Sequence, residues 1–585
     1  MDRQVKARTA RPGFGWVVLV IALGLPWGCE ERTGGLDTSS RPGAVRMDKG
    51  PGVDSTQILE RVAVDEAIQK IRQTSTAPVG PVNGAVSFSS QDVNRYTPDP
   101  VGAGIKDIQR AKQIRLSLQE CVALALANNY KIKTEGYGPA VSATDILKAE
   151  AAFDAMYFAD AQYEKKNQPT PVNNQSSDSD TRTLTTGLQK RLSTGATVTG
   201  RYSLVRLNNT SLEQGNIDPQ YTSNFLVELR QPLLRNFGVD VNRSQIEVNK
   251  NVQKQDQYKY REAVRDTLQD VERAYWRLVQ ARRNVVIQRH LVAQTEETLE
   301  ALLKRTTYDV YQIQPTRVKA LLGTRRAEYV QVKNAVGDAE DQLKALLNDP
   351  SLNLGEDVEI VPTDIPTLGP LVMDRISEVQ AALECRSEIH RAKLSIENLR
   401  INVAVARNQA LPQFDMVFQY GINGLSDNPD NSFDQMSTSN YQDYLVGLSL
   451  QYPIGNRAGQ AAVRKALLQR DQGLAGLKQV IENVILEVDV AVRNLQTSYF
   501  QVPPSKEAVQ AAEENLAAIV ARKVKLSPEF LEVQLSAQET LANARRALLA
   551  ALVNYNVSIV QLERAKDTLL RYNNVTVDAE IATGK

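Results

Sequence analysis

The sequence predicts a membrane protein of mixed α and β class, a transmembrane β-barrel continued by a long α-helical coiled-coil tube. Three observations carry this. A unit of helix, strands and very long helices is written twice along the chain. The strand segments alternate apolar and polar residues over about ten positions. And the stretch from Ser244 to about Arg305 has neither Pro nor Gly and places an apolar residue at every seventh position.

Taken from the N-terminus, residues 1–29 read as an export signal. Arg3, Lys6, Arg8 and Arg11 form a charged start, and an apolar run from Phe14 to Leu25 follows it. That run is too short for a comfortable membrane span. Gly28-Cys29 resembles a bacterial lipoprotein cleavage site, which makes Cys29 the candidate lipidation residue, although Pro26 stands where the usual pattern has Leu. Residues 30–110 are rich in Gly, Pro, Ser, Asp and Thr, with one amphipathic stretch from Ile58 to Ile71. They read as a flexible tether mostly without a core of its own. Structure is expected to begin at Leu116, where Ser117 and Glu120 have the spacing of a capping box for a helix running to about Ala149.

From there the chain can be laid over itself. Ala125-Leu126 matches Ala382-Leu383 at an offset of 257, and Pro232 matches Pro453 at an offset of 221. This defines a first repeat over 111–350, a linker or equatorial segment over 351–373, a second repeat over 374–575 and a C-terminal tail over 576–585. The change of offset places about 36 extra residues among the strands of the first copy. They include Thr181–Leu192 and Ala196–Val205, two extended runs around a hairpin turn at Ser193-Thr194-Gly195.

In the second copy Phe414, Met416, Phe418 and Tyr420 alternate with Gln413, Asp415, Val417 and Gln419. The partner strand lines Tyr444, Val446, Leu448, Leu450 and Tyr452 along one face, and a polar surface loop is expected over 423–443. A soluble sandwich alternates in the same way; the long helices decide for a barrel. At 1.5 Å per residue, Ser244 to Arg305 spans roughly 90 Å. Val264, Val271, Leu278, Val285, Val292 and Leu299 make its seam. The companion row turns from Leu268 and Tyr275 to Arg282, Arg289 and Glu296, which suits a helix with one wet flank.

At this point the chain resembles the TolC-type outer-membrane efflux family from Leu116 to about Val575. The residues that carry the resemblance are Leu118-Gln-Glu-Cys-Val-Ala-Leu-Ala-Leu-Ala-Asn-Asn129, Gln231-Pro-Leu-Leu-Arg235, Val271-Glu-Arg-Ala-Tyr-Trp276, Ala410-Leu-Pro-Gln-Phe414, Tyr452-Pro-Ile-Gly-Asn-Arg457 and Tyr555 to Ala565. The resemblance implies a homotrimer in the outer membrane of a Gram-negative-type bacterium, with a long periplasmic portion. It implies a passive exit duct for a tripartite efflux pump or type I secretion system. The partners would be a periplasmic adaptor and, through it, an inner-membrane transporter. It also implies helix tips that meet the adaptor, here Tyr308, Asp309, Val310 and Tyr311, with Lys525, Leu526 and Ser527. Pro315 and Pro528 stand where family tips usually turn on Gly. Beyond the second tip, Glu529 and Glu532 are candidates for a carboxylate constriction.

No cofactor and no catalytic activity are expected. The sequence has no nucleophile elbow, phosphate loop or dinucleotide fingerprint. His290 and His390 stand apart without metal-ligand neighbours, and Cys121 and Cys385 read as packing residues. The net charge of +1 gives no field for nucleic acid. The alternative reading is a lipid-tethered periplasmic coiled-coil or adhesin-like protein without a channel.

Overall fold

The computed structural model describes residues 69, 89–97, 112–167, 178–209, 217–305, 313–352, 358–369, 373–522 and 528–577. Cys29 and the expected tip residues Tyr308, Asp309, Val310, Tyr311, Lys525, Leu526 and Ser527 lie outside them, as does most of Ile58–Ile71.

Among the described residues of the expected tether is a packed element. Helix α1 (Ser90–Tyr96) starts on a capping box between Ser89 and Asp92. Its Val93 and Tyr96, one turn apart, are buried in the largest apolar core together with Val502 and Val509. An i, i+3 apolar pair after a good cap is enough to dock a short helix, so the stretch is not wholly without a core.

Strand β1 (Lys112–Leu116) leads to α2 (Leu118–Asn128), capped by Ser117 and Glu120 as expected. The single helix expected here is broken. Asn129 leaves helical geometry, its Oδ1 accepts from the amides of Lys131 and Ile132, and α3 (Tyr130–Glu150) begins anew. The Asn129 amide group also donates to Leu346 O at 2.7 Å, so the cap is pinned from another element.

A six-stranded antiparallel sheet follows, in the order β2-β3-β4-β5-β7-β8. Its strands are β2 (Ala155–Asn167), β3 (Asp178–Arg191), β4 (Thr197–Asn209), β5 (Gln220–Pro232), β7 (Gln413–Ser426) and β8 (Gln442–Gln451). The first half of the chain supplies four and the second half two. The extra residues form β3 and the start of β4, joined by the expected tight turn. There Leu192 N donates to Ala196 O at 2.7 Å, and Gly195 has φ +95°, a conformation glycine adopts freely. The polar loop expected over 423–443 is instead partly strand and partly a helix over Pro429–Ser437.

After β5, the one-turn helix α4 (Val239–Asn242) precedes α5 (Ser244–Arg305), which returns as α6 (Ile313–Leu347). Strand β6 (Val358–Pro362) pairs parallel with β1. The second half runs through α7 (Arg375–Cys385), α8 (Ser387–Gln409), the helix α9 (Pro429–Ser437) between β7 and β8, then α10 (Arg457–Ala521), α11 (Pro528–Ala565) and the short α12 (Leu569–Tyr572). The seam on α5 is buried at Val264, Val271, Leu278 and Val285 and half-buried at Val292 and Leu299. Of the flank expected to be wet, Arg289 and Glu296 are exposed, but Arg282 is not. Its guanidinium is 1% exposed and donates to Glu359 on β6 at 2.7 Å. A buried charge is tolerable only when paired in this way.

Candidate functional site: the two-faced sheet and the helix tips

Strand alternation gives the sheet two unlike faces. One carries Tyr157, Tyr163, Leu184, Leu188, Phe225, Phe418, Tyr444, Val446, Leu448 and Leu450 in register across the strands. All ten are exposed, Tyr444 at 80% and Val446 at 69%. Water makes so wide an apolar surface unfavourable, whereas lipid does not. No described helix is long and apolar enough to cross a membrane.

The opposite face is cross-linked by polar side chains over β5, β7 and β8, with the apolar Leu226, Val417 and Leu445 set among them. Arg230 Nη2 donates to Asp415 at 2.8 Å, and Gln413 donates to the same carboxylate at 2.9 Å. Gln419 Nε2 donates to Glu228 at 3.0 Å, Asn224 Nδ2 to Asn423 at 2.5 Å, and Asn423 Nδ2 to Asp443 at 2.6 Å. These side chains suit a wet lumen and would be costly in hydrocarbon.

Helix α9 closes over one end of the apolar face. Ser432 Oγ donates to Ser223 Oγ at 2.7 Å, and Phe433 meets the Tyr202 ring edge-on at 6.1 Å. The close approach needs Gly424, where a Cβ would stand 2.0 Å from Ser432 O.

At the other end of the long helices, Leu302, Val318, Leu531 and Leu535 form a small core joining α5, α6 and α11. Above it Arg325, on α6, is buried and crosses between elements. It donates to Thr295 Oγ1 on α5 at 2.6 Å and to Leu535 O on α11 at 3.1 Å. Glu532 lies on the first turns of α11 and pairs with Arg317 of α6 at 2.8 Å, both side chains well exposed. Glu529 is in the same helix, and its side chain lies outside the described residues. Arg317 carries no sequence signal that separates it from any other surface arginine, so the pairing was not foreseeable.

The remaining candidates fall where packing residues belong. Cys121 is fully buried, and burial pushes its thiol up to about 12, far from reactivity. Cys385 is free and half-buried. His390 stacks on Tyr258 at 5.1 Å, and no metal-holding cluster occurs among the described residues.

Comparison with known proteins agrees with this geometry. Residues 379–566 match the family model described as outer membrane efflux protein. The structure is similar to the open-state MtrE outer membrane channel of Neisseria gonorrhoeae, at 15% identity and a TM-score of 0.55, covering 77% of this chain and 89% of that one. It is similar to the Campylobacter jejuni CmeC outer membrane channel at 15% identity and a TM-score of 0.55, covering 84% and 91%. The outer membrane protein VceC of Vibrio cholerae gives 15% identity and a TM-score of 0.54, covering 82% and 98%. No curated protein matches. Residues 379–566 thus carry an outer membrane efflux protein domain, set in a chain whose fold is that of the outer-membrane channels.

Proposed function

We propose that the chain is one protomer of a passive homotrimeric exit duct in the outer membrane, serving a tripartite efflux pump or type I secretion system. The observation that carries this is the sheet. It has an apolar and a polar face, its edge strands β2 and β8 have no outer partner among the described residues, and two long helices, α5 and α10, continue it. An open edge is a template for another strand. The strand count per chain is even, so β8 of one copy meets β2 of the next antiparallel, like every pair within the sheet.

Six strands from each of three copies would make an eighteen-stranded barrel. Since diameter grows about linearly with strand number, its bore would be roughly half again that of a twelve-stranded one. The polar face would line it, and the apolar face would meet lipid. The duplication of the chain and lipidation at Cys29 belong to the same reading. No catalysis is assigned to the duct; energy would come from the inner-membrane partner.

The test is direct. Detergent-extracted protein should run as a heat-modifiable trimer, take up labelled palmitate through Cys29, and conduct ions in planar bilayers. A soluble species without conductance would overturn the duct and favour a tethered structural protein. At the tips, Asp309→Lys or Lys525→Glu should weaken capture of the periplasmic adaptor while trimers still assemble. Undiminished capture by both would move the docking surface elsewhere.

A further inference from the structure

A cavity of about 870 Å³ lies against α5 between α3, α8 and the segment after α12. Four cations line it: Lys254, Arg261, Lys393 and Arg571. No carboxylate is among the lining residues, and the acids nearby are engaged elsewhere. Glu135 pairs with Lys259 at 2.9 Å, Glu262 with Arg391 at 2.7 Å, and Asp256 is held by Ser142. Among the described residues none of the four cations has an ion-pair partner. The Nε of Arg261 is moreover shut off from solvent with no hydrogen-bond acceptor.

Burying a guanidinium nitrogen unpaired is unfavourable, and four like charges around one cavity repel. An anion corrects both. The walls add an apolar and aromatic component, with Tyr260, the stacked Tyr258 and His390 rings, Leu394, Leu570 and Val575.

We propose that this cavity binds a small, water-soluble organic anion, a phosphate or carboxylate group borne on an apolar or planar body. Arg261 and Lys393 hold the charge, and the Tyr258–His390 stack holds the body. A lipid headgroup fits less well. Tyr260 is sixteen residues along α5 from Ser244, roughly 24 Å beyond the end of the sheet. Only that exclusion rests on reading the sheet as membrane-embedded; the charge and shape argument does not.

Full-length protein in detergent, shown to be trimeric, would be titrated calorimetrically with inorganic phosphate and with 1-naphthyl phosphate. The naphthyl ester should bind at least about tenfold more tightly, the worth of a modest buried apolar contact. Arg261→Gln and Lys393→Gln should each weaken it by about tenfold or more, as loss of one charge-assisted hydrogen bond does. Tyr258→Leu should lower naphthyl binding towards that of phosphate. Lys250→Gln, which removes a cation paired with Glu247 outside the cavity, serves as the control and should change nothing.

Equal weak binding of both probes, or loss of binding in the control alone, would overturn the site. So would binding only to phosphatidic acid in mixed micelles, which would make it a lipid contact. Asp578 and Glu580 follow the cavity residue Val577 in sequence. Strong naphthyl binding that emerges only in the Asp578→Asn, Glu580→Gln double variant would assign the cations to the chain's own tail and overturn an external ligand. Because none of these readings uses conductance, failure of the site leaves the duct untouched.

Discussion

Glu272 on α5 is 1% exposed, and Asn573 Nδ2 donates to its Oε1 at 2.7 Å. Burial pushes its carboxyl up to about 7 from an ordinary 4.5, with the Asn573 hydrogen bond pulling the other way. The consequence for stability has a definite sign. Below about pH 4.5 both folded and unfolded chains hold the proton, and the group is neutral to folding. Between about 4.5 and 7 the unfolded chain releases its proton first, so stability falls as pH rises. Above about 7 the loss is complete, on the order of 3 kcal/mol for a shift of about 2.5 units. Glu272→Gln keeps an oxygen for Asn573 and removes the charge. Its melting temperature should match the parent at pH 4 and exceed it at pH 8, with the gap opening between. A difference independent of pH would show that the carboxyl does not titrate there. Glu272 stands inside the Val271-Glu-Arg-Ala-Tyr-Trp276 segment, yet nothing in that segment marks it as buried. The residue that covers it, Asn573, lies 301 positions away, a distance over which local pattern carries no information.

Elements were legible where their cause is local. The seven-residue seam on α5 is buried at Val264, Val271, Leu278 and Val285 because heptad spacing alone puts these residues on one stripe. The Ser117–Glu120 cap and the Ser193-Thr194-Gly195 turn are equally local. The break at Asn129 is capped locally by its Oδ1 on Lys131 and Ile132, but the bond that pins it to Leu346 O on α6 lies beyond the reach of local pattern. Helix α9 starts on a local signal that the polar-loop reading passed over, with Asn428 accepting from Asn431 N and Pro429 opening the first turn, while its seat, Gly424 and Ser223, comes from strands. Arg325 tests how such distant bonds hold elements together. Its side chain is 3% exposed and ties α6 to α5 and α11 through Thr295, Leu535 and Glu539. Burial holds its guanidinium below the ordinary arginine range, with Glu539 opposing. Arg325→Leu retains volume but leaves Leu535 O and Gln538 without this donor, at a cost of about 1–3 kcal/mol. Amide exchange should quicken over Leu531–Leu541 and along α6 while α10 near the sheet stays protected. Unchanged exchange at Leu531–Leu541 would show that the small apolar core alone holds α11 in place.

For the whole molecule, the sequence offsets located about 36 extra residues among the strands of the first half without fixing how many strands form there. Four is what forms, because β3 and β4 find partners on both sides and continue one apolar face. The resemblance placed the two helix tips without revealing which side chains meet near them, and the Arg317–Glu532 contact decides how a constriction there would behave. Both side chains are well exposed, so the pair itself is worth at most about 1 kcal/mol, and removing it should leave assembly intact. In a trimer each partner becomes a three-membered ring, and the two rings nearly cancel. Glu532→Ala would then leave three uncompensated guanidiniums and move the reversal potential in a salt gradient towards anions. Arg317→Ala would leave three carboxylates and move it towards cations, and the double variant should return close to the parent. The shifts should fade as salt rises, because the screening length contracts from about 10 Å at 0.1 M to about 3 Å at 1 M. Identical reversal potentials in all four proteins at low salt would remove Glu532 from the ion path. A shift in Glu532→Ala that Arg317→Ala fails to mirror would mean that the pair seen in the single chain is not kept in the assembled duct.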